Sequence, residues 1–321
     1  MTDGSPATSS DGASSGSSAY DEARAGGIID TFLAMPDTRE NQAAKYERIR
    51  RLAGDEGTKS MEMPAEYMFK GVPTYADDEV DDPVAVVLGE MARHRIATFV
   101  VGVHENEHSR RAVREHPQHF AGMLNVDPNE HMGALRAIDA AVQEWGDSLK
   151  AIHTWGTGCI PQVPLDDKKM WPIYAKCIEA GRPIIVYAGV PGPRIPMGPQ
   201  LPILLDEVCW AWPELQVVVR HGADPWTDLM VKLMLKYPGL HYSTSAFAPK
   251  YYPEAIIDFA NRRGAEKVLY AGYYASGLTL DRIFDEMPGV AFRDHVWPRF
   301  LRENAARVFA IDPVAPPAPL G

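Results

Sequence analysis

The stretch LQVVVRHGADPWTDLMVKLMLKYPGLHYSTS, residues 215–245, decides the fold. It holds a Val-rich run at 215–221, an amphipathic segment at 225–237 and a second β-rich run at 239–245. Short apolar runs bounded by Gly, Pro or Asp suit strands buried on both faces of a parallel sheet. A helical pattern between two such strands reads as a crossover connection.

The same alternation extends in both directions from this unit. Strand-like runs occur at GIIDTF (27–32), IATFVVGV (96–103), HFAGMLNV (119–126), LKAIHTW (149–155), RPIIVYAG (182–189) and EKVLYAG (266–272). Helical patterns fall at 131–145, 167–181 and 253–264, and the last two end in Gly, which a helix C-terminus favours. Eight strands with helical crossovers predict an α/β chain folded as a (β/α)8 TIM barrel across residues 27–312. The connection at 33–83 is too long for a simple loop. It contains MEMPAEYMFKGVP, and the reading places it, with Tyr67, over the barrel mouth.

Composition narrows the function. The chain has 321 residues, and 32 basic against 43 acidic side chains give a net charge of −11. That balance argues against nucleic acid or an anionic membrane surface as a partner. No apolar run is long enough to span a bilayer, which takes about 18 residues or more. Residues 1–26 are Ser/Gly/Asp-rich and read as a disordered tail without a signal peptide, and 313–321 as a Pro-rich tail. Three cysteines without a CxxC pair suggest a reducing cytoplasm, with Cys177 and Cys209 as buried small hydrophobes and Cys159 in a Gly-rich loop.

In a barrel of this kind the active site lies at the C-terminal strand ends. The residues displayed there are Asp30 to Ala34, His104, Asp127, His153 to Trp155, Tyr187, Arg220, His221, Ser243 to Ser245, and Gly272 to Tyr274. Together, the stretches DDKKMWPIYAKCIEAGRPIIVYAG, PELQVVVRHGADPWTDLMVKLMLKYPGLHYSTSAFAP, EKVLYAGYYAS and ENAARVFAI resemble the amidohydrolase superfamily. The branch indicated includes aminocarboxymuconate-semialdehyde decarboxylase and related aromatic acid decarboxylases. The resemblance implies a divalent metal held by His-x-His after strand 1, a His ending strand 5 and an Asp ending strand 8. A further His ending strand 6 would transfer protons.

Residue by residue, this chain departs from that ligand pattern. The two positions after strand 1 are Phe32 and Ala34, the strand 5 position is Tyr187 and the strand 8 position is Tyr273. Only the strand 6 histidine, His221, matches. Phenyl and methyl groups cannot coordinate, and a neutral phenol is a poor zinc ligand. We therefore expect no metal and no cofactor. A shifted metal patch at His104, Glu105, Glu107 and His108 is disfavoured, because the last two begin a helix.

The expected site is an aromatic cup around a proton-transferring imidazole, taking a small-molecule substrate. His221, Tyr187, Tyr273 and Asp30 are the catalytic candidates. Phe32, His153, Trp155, Arg220, Asp224, Ser245, Tyr274 and Tyr67 are the substrate-binding candidates, with Asp30 or Asp224 setting the His221 tautomer. Arg220 either meets a substrate carboxylate or faces the helices, and the serines lack an evident partner base. Without metal-activated water, lyase, decarboxylase, isomerase or cyclase chemistry on a small aromatic or conjugated acid fits better than hydrolysis. The alternatives are an inactive barrel that binds a ligand or partner, and a hydrolase with an atypical site. A homodimer is expected by analogy with the branch.

Overall fold

The computed structural model describes residues 18–61, 66–68, 82–154 and 162–319. The strands are β1 (Ile28–Leu33), β2 (Ile96–Gly102), β3 (Phe120–Asn125) and β4 (Leu149–His153), then β5 (Ile184–Tyr187), β6 (Val217–Arg220), β7 (Leu240–Ser243) and β8 (Val268–Leu269). Each strand pairs in parallel with the next, in the order β1 to β8. A parallel bridge between Leu33 and Tyr274 joins the last strand back to the first. The eight-stranded TIM barrel expected from the sequence is therefore present.

Most helices surround this wall, while those at 39–52 and 56–59 meet the loop after β5 through Ile49 and Asp55. The helices of the first half are α1 (Ala19–Ala25), α2 (Arg39–Leu52), α3 (Glu56–Lys59), α4 (Pro83–His94), α5 (Glu107–Glu115) and α6 (Met132–Trp145). The second half carries α7 (Trp171–Ala180), α8 (Leu205–Ala211), α9 (Thr227–Lys236), α10 (Glu254–Phe259), α11 (Leu280–Glu286) and α12 (Asn304–Phe309). Local signals fix their ends. Asp82 accepts from the N–H groups of Val84 and Ala85 at the start of α4, with Pro83 in its first turn, and Gly181 closes α7 at φ +61°.

Two apolar layers form the core. The lumen is filled by Ile29, Val100, Met123, Ile185, Val218 and Leu269, and plugged from below by Val308 and Phe309 of α12. The opposite strand faces join the helices in a larger outer layer that includes Phe99, Val219, Tyr270, Phe284 and Phe300. Side-chain alternation thus decides whether a strand residue enters the lumen or the helix layer.

Ser18 to Gly26, read from composition as part of a disordered tail, are ordered. Ser18 caps α1 by accepting from Asp21 N–H, and Tyr20 buries its ring 5.0 Å from that of Trp297. One anchoring aromatic holds an otherwise polar segment. Residues 313–319 run without regular structure, with the Val314 carbonyl and Pro316 against Gly27. Cys177 and Cys209 are buried free thiols, while Cys159 lies outside the described residues. Among the described residues no helix is long and apolar enough to cross a membrane. His94, the last residue of α4, is buried against the Phe284 ring at 5.2 Å.

Candidate active site

His221 follows the last residue of β6 in the left-handed conformation, at φ +65°. Such a backbone is strained for a side chain other than Gly or Asn and persists when its surroundings hold it. Ser245 supplies that hold, accepting from the His221 N–H at 3.1 Å and lying 3.0 Å from Nδ1. Ser245 is fully buried, so its hydroxyl orients the imidazole and is shielded from attacking a substrate. The partner that the sequence did not reveal for the serines is therefore His221 itself.

Three rings enclose this imidazole. The Tyr187 centroid lies 4.4 Å away, that of Tyr273 5.2 Å away and nearly perpendicular, and that of Phe32 6.1 Å away. Phe32 and Tyr273 also touch, at 4.7 Å. Tyr273 is itself left-handed, at φ +67°, so two neighbouring site residues carry backbone strain. The expected aromatic cup is assembled, except that Trp155 lies outside the described residues.

Beneath the cup Arg220 points into the lumen, which settles its direction against the helix-facing alternative. It is 2% exposed, donates to the Thr31 carbonyl at 2.6 Å and lies under the Phe32 ring at 4.9 Å. It also hydrogen-bonds the Tyr187 phenol and lies 3.8 Å from Met123 Sδ, so it reaches across from β6 to β1, β3 and β5. Burial pulls its pKa below the ordinary value, while Tyr187, Glu105 and Asp30 act the other way. Burial, together with the adjacent Arg220 charge, likewise holds the largely buried His221 well below 6.5, opposed in part by Ser245. The imidazole is neutral around pH 7.

His153 is fully buried in the lumen wall beside Tyr187, at 5.1 Å between centroids. Its Nδ1 lies 2.5 Å from Asn125 Oδ1, and Asn125 Nδ2 reaches Glu105 Oε1 at 3.5 Å. Since an amide oxygen only accepts, Nδ1 carries the proton and Nε2 the lone pair. Sequence reading missed Asn125 and did not place Glu105 here. Alternation along β3 (Ala121, Met123, Asn125) points the first of these inward, opposite His153 in register. Glu105 folds back because position 102 is glycine: a Cβ there would stand 2.5 Å from Glu105 Cγ.

Other expected residues fall elsewhere. Asp30 is fully buried, but its Oδ2 sits with the Tyr270 hydroxyl and Ile283 Cδ1 around Gly272, on the side of the helix layer. Its Oδ1 accepts from the N–H groups of Phe32 and Gly272, both at 3.0 Å, so it does not set the His221 tautomer. Burial outweighs those bonds and raises its pKa from 3.8 to about 7. Tyr270 faces Oδ2 without closing a hydrogen bond of standard geometry. Asp224 is exposed, and its carbonyl accepts from Val190 N–H in the neighbouring loop. Tyr274 is buried and stacks on Phe99 in the outer layer. Tyr67 donates to the Gly192 carbonyl at 2.5 Å and lies under the Arg194 guanidinium, so the described part of the 33–83 segment meets the loop that follows β5.

These residues do not fit a divalent ion. Phe32, Ala34, Tyr187 and Tyr273 stand at the positions that the resemblance assigns to ligands, and the Arg220 guanidinium lies in the lumen below them. Among the described residues no three His, Cys, Asp or Glu side chains gather into a ligand set, the His104 to His108 patch included. A fixed cation in a poorly solvated lumen repels a second one.

A family model described as amidohydrolase matches residues 54–311. No curated protein matches the sequence. Among solved structures, an uncharacterised TIM-barrel protein of Bordetella bronchiseptica aligns with a TM-score of 0.68 at 20% identity, over 88% of this chain and 98% of its own. A 5-carboxyvanillate decarboxylase of Novosphingobium aromaticivorans, with bound manganese and 3-methoxy-4-hydroxy-5-nitrobenzoic acid, gives 0.62 at 17% identity, over 88% and 97%. A 2,6-dihydroxybenzoate decarboxylase from Rhizobium gives 0.58 at 14% identity, over 88% and 98%. At such identities the likeness establishes the fold.

Proposed function

The chain belongs to the amidohydrolase family, and from that premise we propose a metal-independent acid/base enzyme acting on a small aromatic or conjugated acid. One observation carries this reading: His221, strained and held by Ser245, stands inside a ring of Tyr187, Tyr273 and Phe32, with the Arg220 cation fixed below. The rings offer flat apolar walls, and the phenol of Tyr187 is polarised by the guanidinium that bonds it.

The chemistry follows from charge. In the free protein His221 is a neutral base. An anionic substrate beside it adds the opposite charge that the cup lacks, which raises the imidazole's affinity for a proton. His221 can then take a proton from the substrate or solvent and return it to another substrate atom. Lyase, decarboxylase, isomerase and cyclase reactions all use such a step. The named activities of the neighbouring structures, decarboxylation of 5-carboxyvanillate and 2,6-dihydroxybenzoate, make hydroxylated benzoates the first compounds to try.

The test is a panel of hydroxybenzoates and conjugated acids, followed by ultraviolet absorbance, with protein stripped by a chelator. We expect turnover without added metal that His221→Phe abolishes. Turnover that requires a divalent ion, or that survives His221→Phe, overturns the proposal. Binding without turnover across the panel favours the inactive-barrel alternative instead.

A further inference from the structure

We infer that Asp30 is a positioning residue, whose single oxygen Oδ1 ties the ends of β1 and β8 together and so sets the wall of the cup. The inference rests on the proposed reading only for its kinetic consequence, because the tie itself is a matter of shape.

The seam between β8 and β1 is the thinnest part of the barrel. β8 has two residues of regular strand, β1 changes register against β2 between Asp30 and Leu33, and the bonds to the segment after β8 span three residues on one side and four on the other. Backbone bonds cross the seam on either side, from Thr31 N–H to the Tyr270 carbonyl at 3.3 Å and from Ala34 N–H to the Tyr274 carbonyl at 2.8 Å. Between them the N–H groups of Phe32 and Gly272 both donate to Asp30 Oδ1 at 3.0 Å. A side chain thus completes the ladder where the main chain is out of step.

What hangs from those two points is the cup. Phe32 is one of the tied residues, and Tyr273 follows the other in its strained left-handed conformation. Their rings touch each other and flank His221. Glycine at 272 permits this approach, since a Cβ there would lie 2.5 Å from the Tyr270 hydroxyl and 2.7 Å from Asp30 Oδ2. Tyr270 after β8 faces the carboxylate, and the charges of Tyr252, from the turn before α10, and of Arg220, across the wall in the lumen, act on it from further away.

The experiment compares Asp30→Asn with Asp30→Leu. Asparagine keeps an Oδ1 that accepts both N–H groups, while leucine keeps the branched four-atom skeleton, with more bulk, and has no acceptor. Protein labelled with 4-fluorophenylalanine is followed by fluorine NMR, with the Phe32 resonance assigned by its loss in Phe32→Leu. We expect Asp30→Asn to leave that resonance near its wild-type position and Asp30→Leu to move it toward the free amino acid. If Asp30→Leu fails to fold, Gly272→Ala is the second perturbation. It should displace the Phe32 signal, and adding Tyr270→Phe should partly restore it. On any substrate turned over, Asp30→Leu should lower kcat/KM by about 100-fold, the scale of a misplaced site wall, and Asp30→Asn should rescue it. An unmoved Phe32 resonance in the leucine or alanine variant, or equal displacement by asparagine and leucine, overturns the inference. Absence of turnover bears on the proposed function and leaves the NMR result to decide.

Discussion

Replacing Asp30 by Asn should make the protein more stable at alkaline pH, with little gain in acid. Burial raises the Asp30 pKa from 3.8 to about 7. The folded chain therefore favours the neutral carboxyl, and the unfolded chain ionises it more readily. Stability from this group is fully present below about pH 4 and is lost as pH rises toward 7. Each pH unit between those values corresponds to about 1.4 kcal/mol, so the whole interval amounts to about 4 kcal/mol. Part of it is already lost at about pH 5, which leaves about 3 kcal/mol between about pH 5 and about pH 8. Asparagine keeps both accepted N–H bonds and cannot ionise, so its stability lacks this slope. Urea denaturation of both proteins at the two pH values, followed by circular dichroism, measures the difference. The asparagine variant's advantage should widen by roughly that amount at the higher pH. An advantage of equal size at both values would mean that burial does not dominate at Asp30 and would refute the reasoning.

Three further variants have expected outcomes. Ser245→Ala leaves the His221 N–H without its acceptor and should cost about 1–3 kcal/mol, seen as a lower Tm. His241 is buried with its pKa lowered to about 3, so it destabilises the fold as pH drops below about 6.5. The stability difference between His241→Phe and wild type should then shift by about 2 kcal/mol in the variant's favour from about pH 7.5 to about pH 5, again by urea titration. Arg220→Met removes a buried cation whose desolvation is unfavourable, so Tm should hold or rise. Calorimetric binding of benzoate should weaken by about tenfold or more in the same variant, the scale of a lost charged hydrogen bond.

The eight strands were legible because each is a short apolar run, most of them β-branched, closed by Gly, Pro or a polar residue, and burial on both faces leaves such a pattern in the sequence. The cup was legible through Phe32, Tyr187, His221 and Tyr273, which lie at or just beyond the C-terminal ends of strands. What escaped depends on turns that composition does not encode. Left-handed backbone at His221 and Ala246 brackets the contact between the imidazole and Ser245. Alternation after the lumenal Ile29 sends Asp30 toward the helices, and the register change that follows brings Phe32 into the mouth. Alternation alone left Arg220 undecided between two directions, and its inward one became evident from the Thr31 carbonyl and Met123 sulfur that receive it. Glu105 reached the lumen only because Gly102 has no side chain to block it.

The docking of α1 carries a practical lesson for anyone trimming this chain. Tyr20 covers Trp297, Arg24 lies over Phe284 at 5.1 Å, and Arg302 donates to the Gly26 carbonyl. A version beginning at Gly27 would strip that cover and wet two large rings, inviting aggregation during purification. Expression boundaries for crystallisation are therefore better drawn ahead of Ser18 than at the first strand.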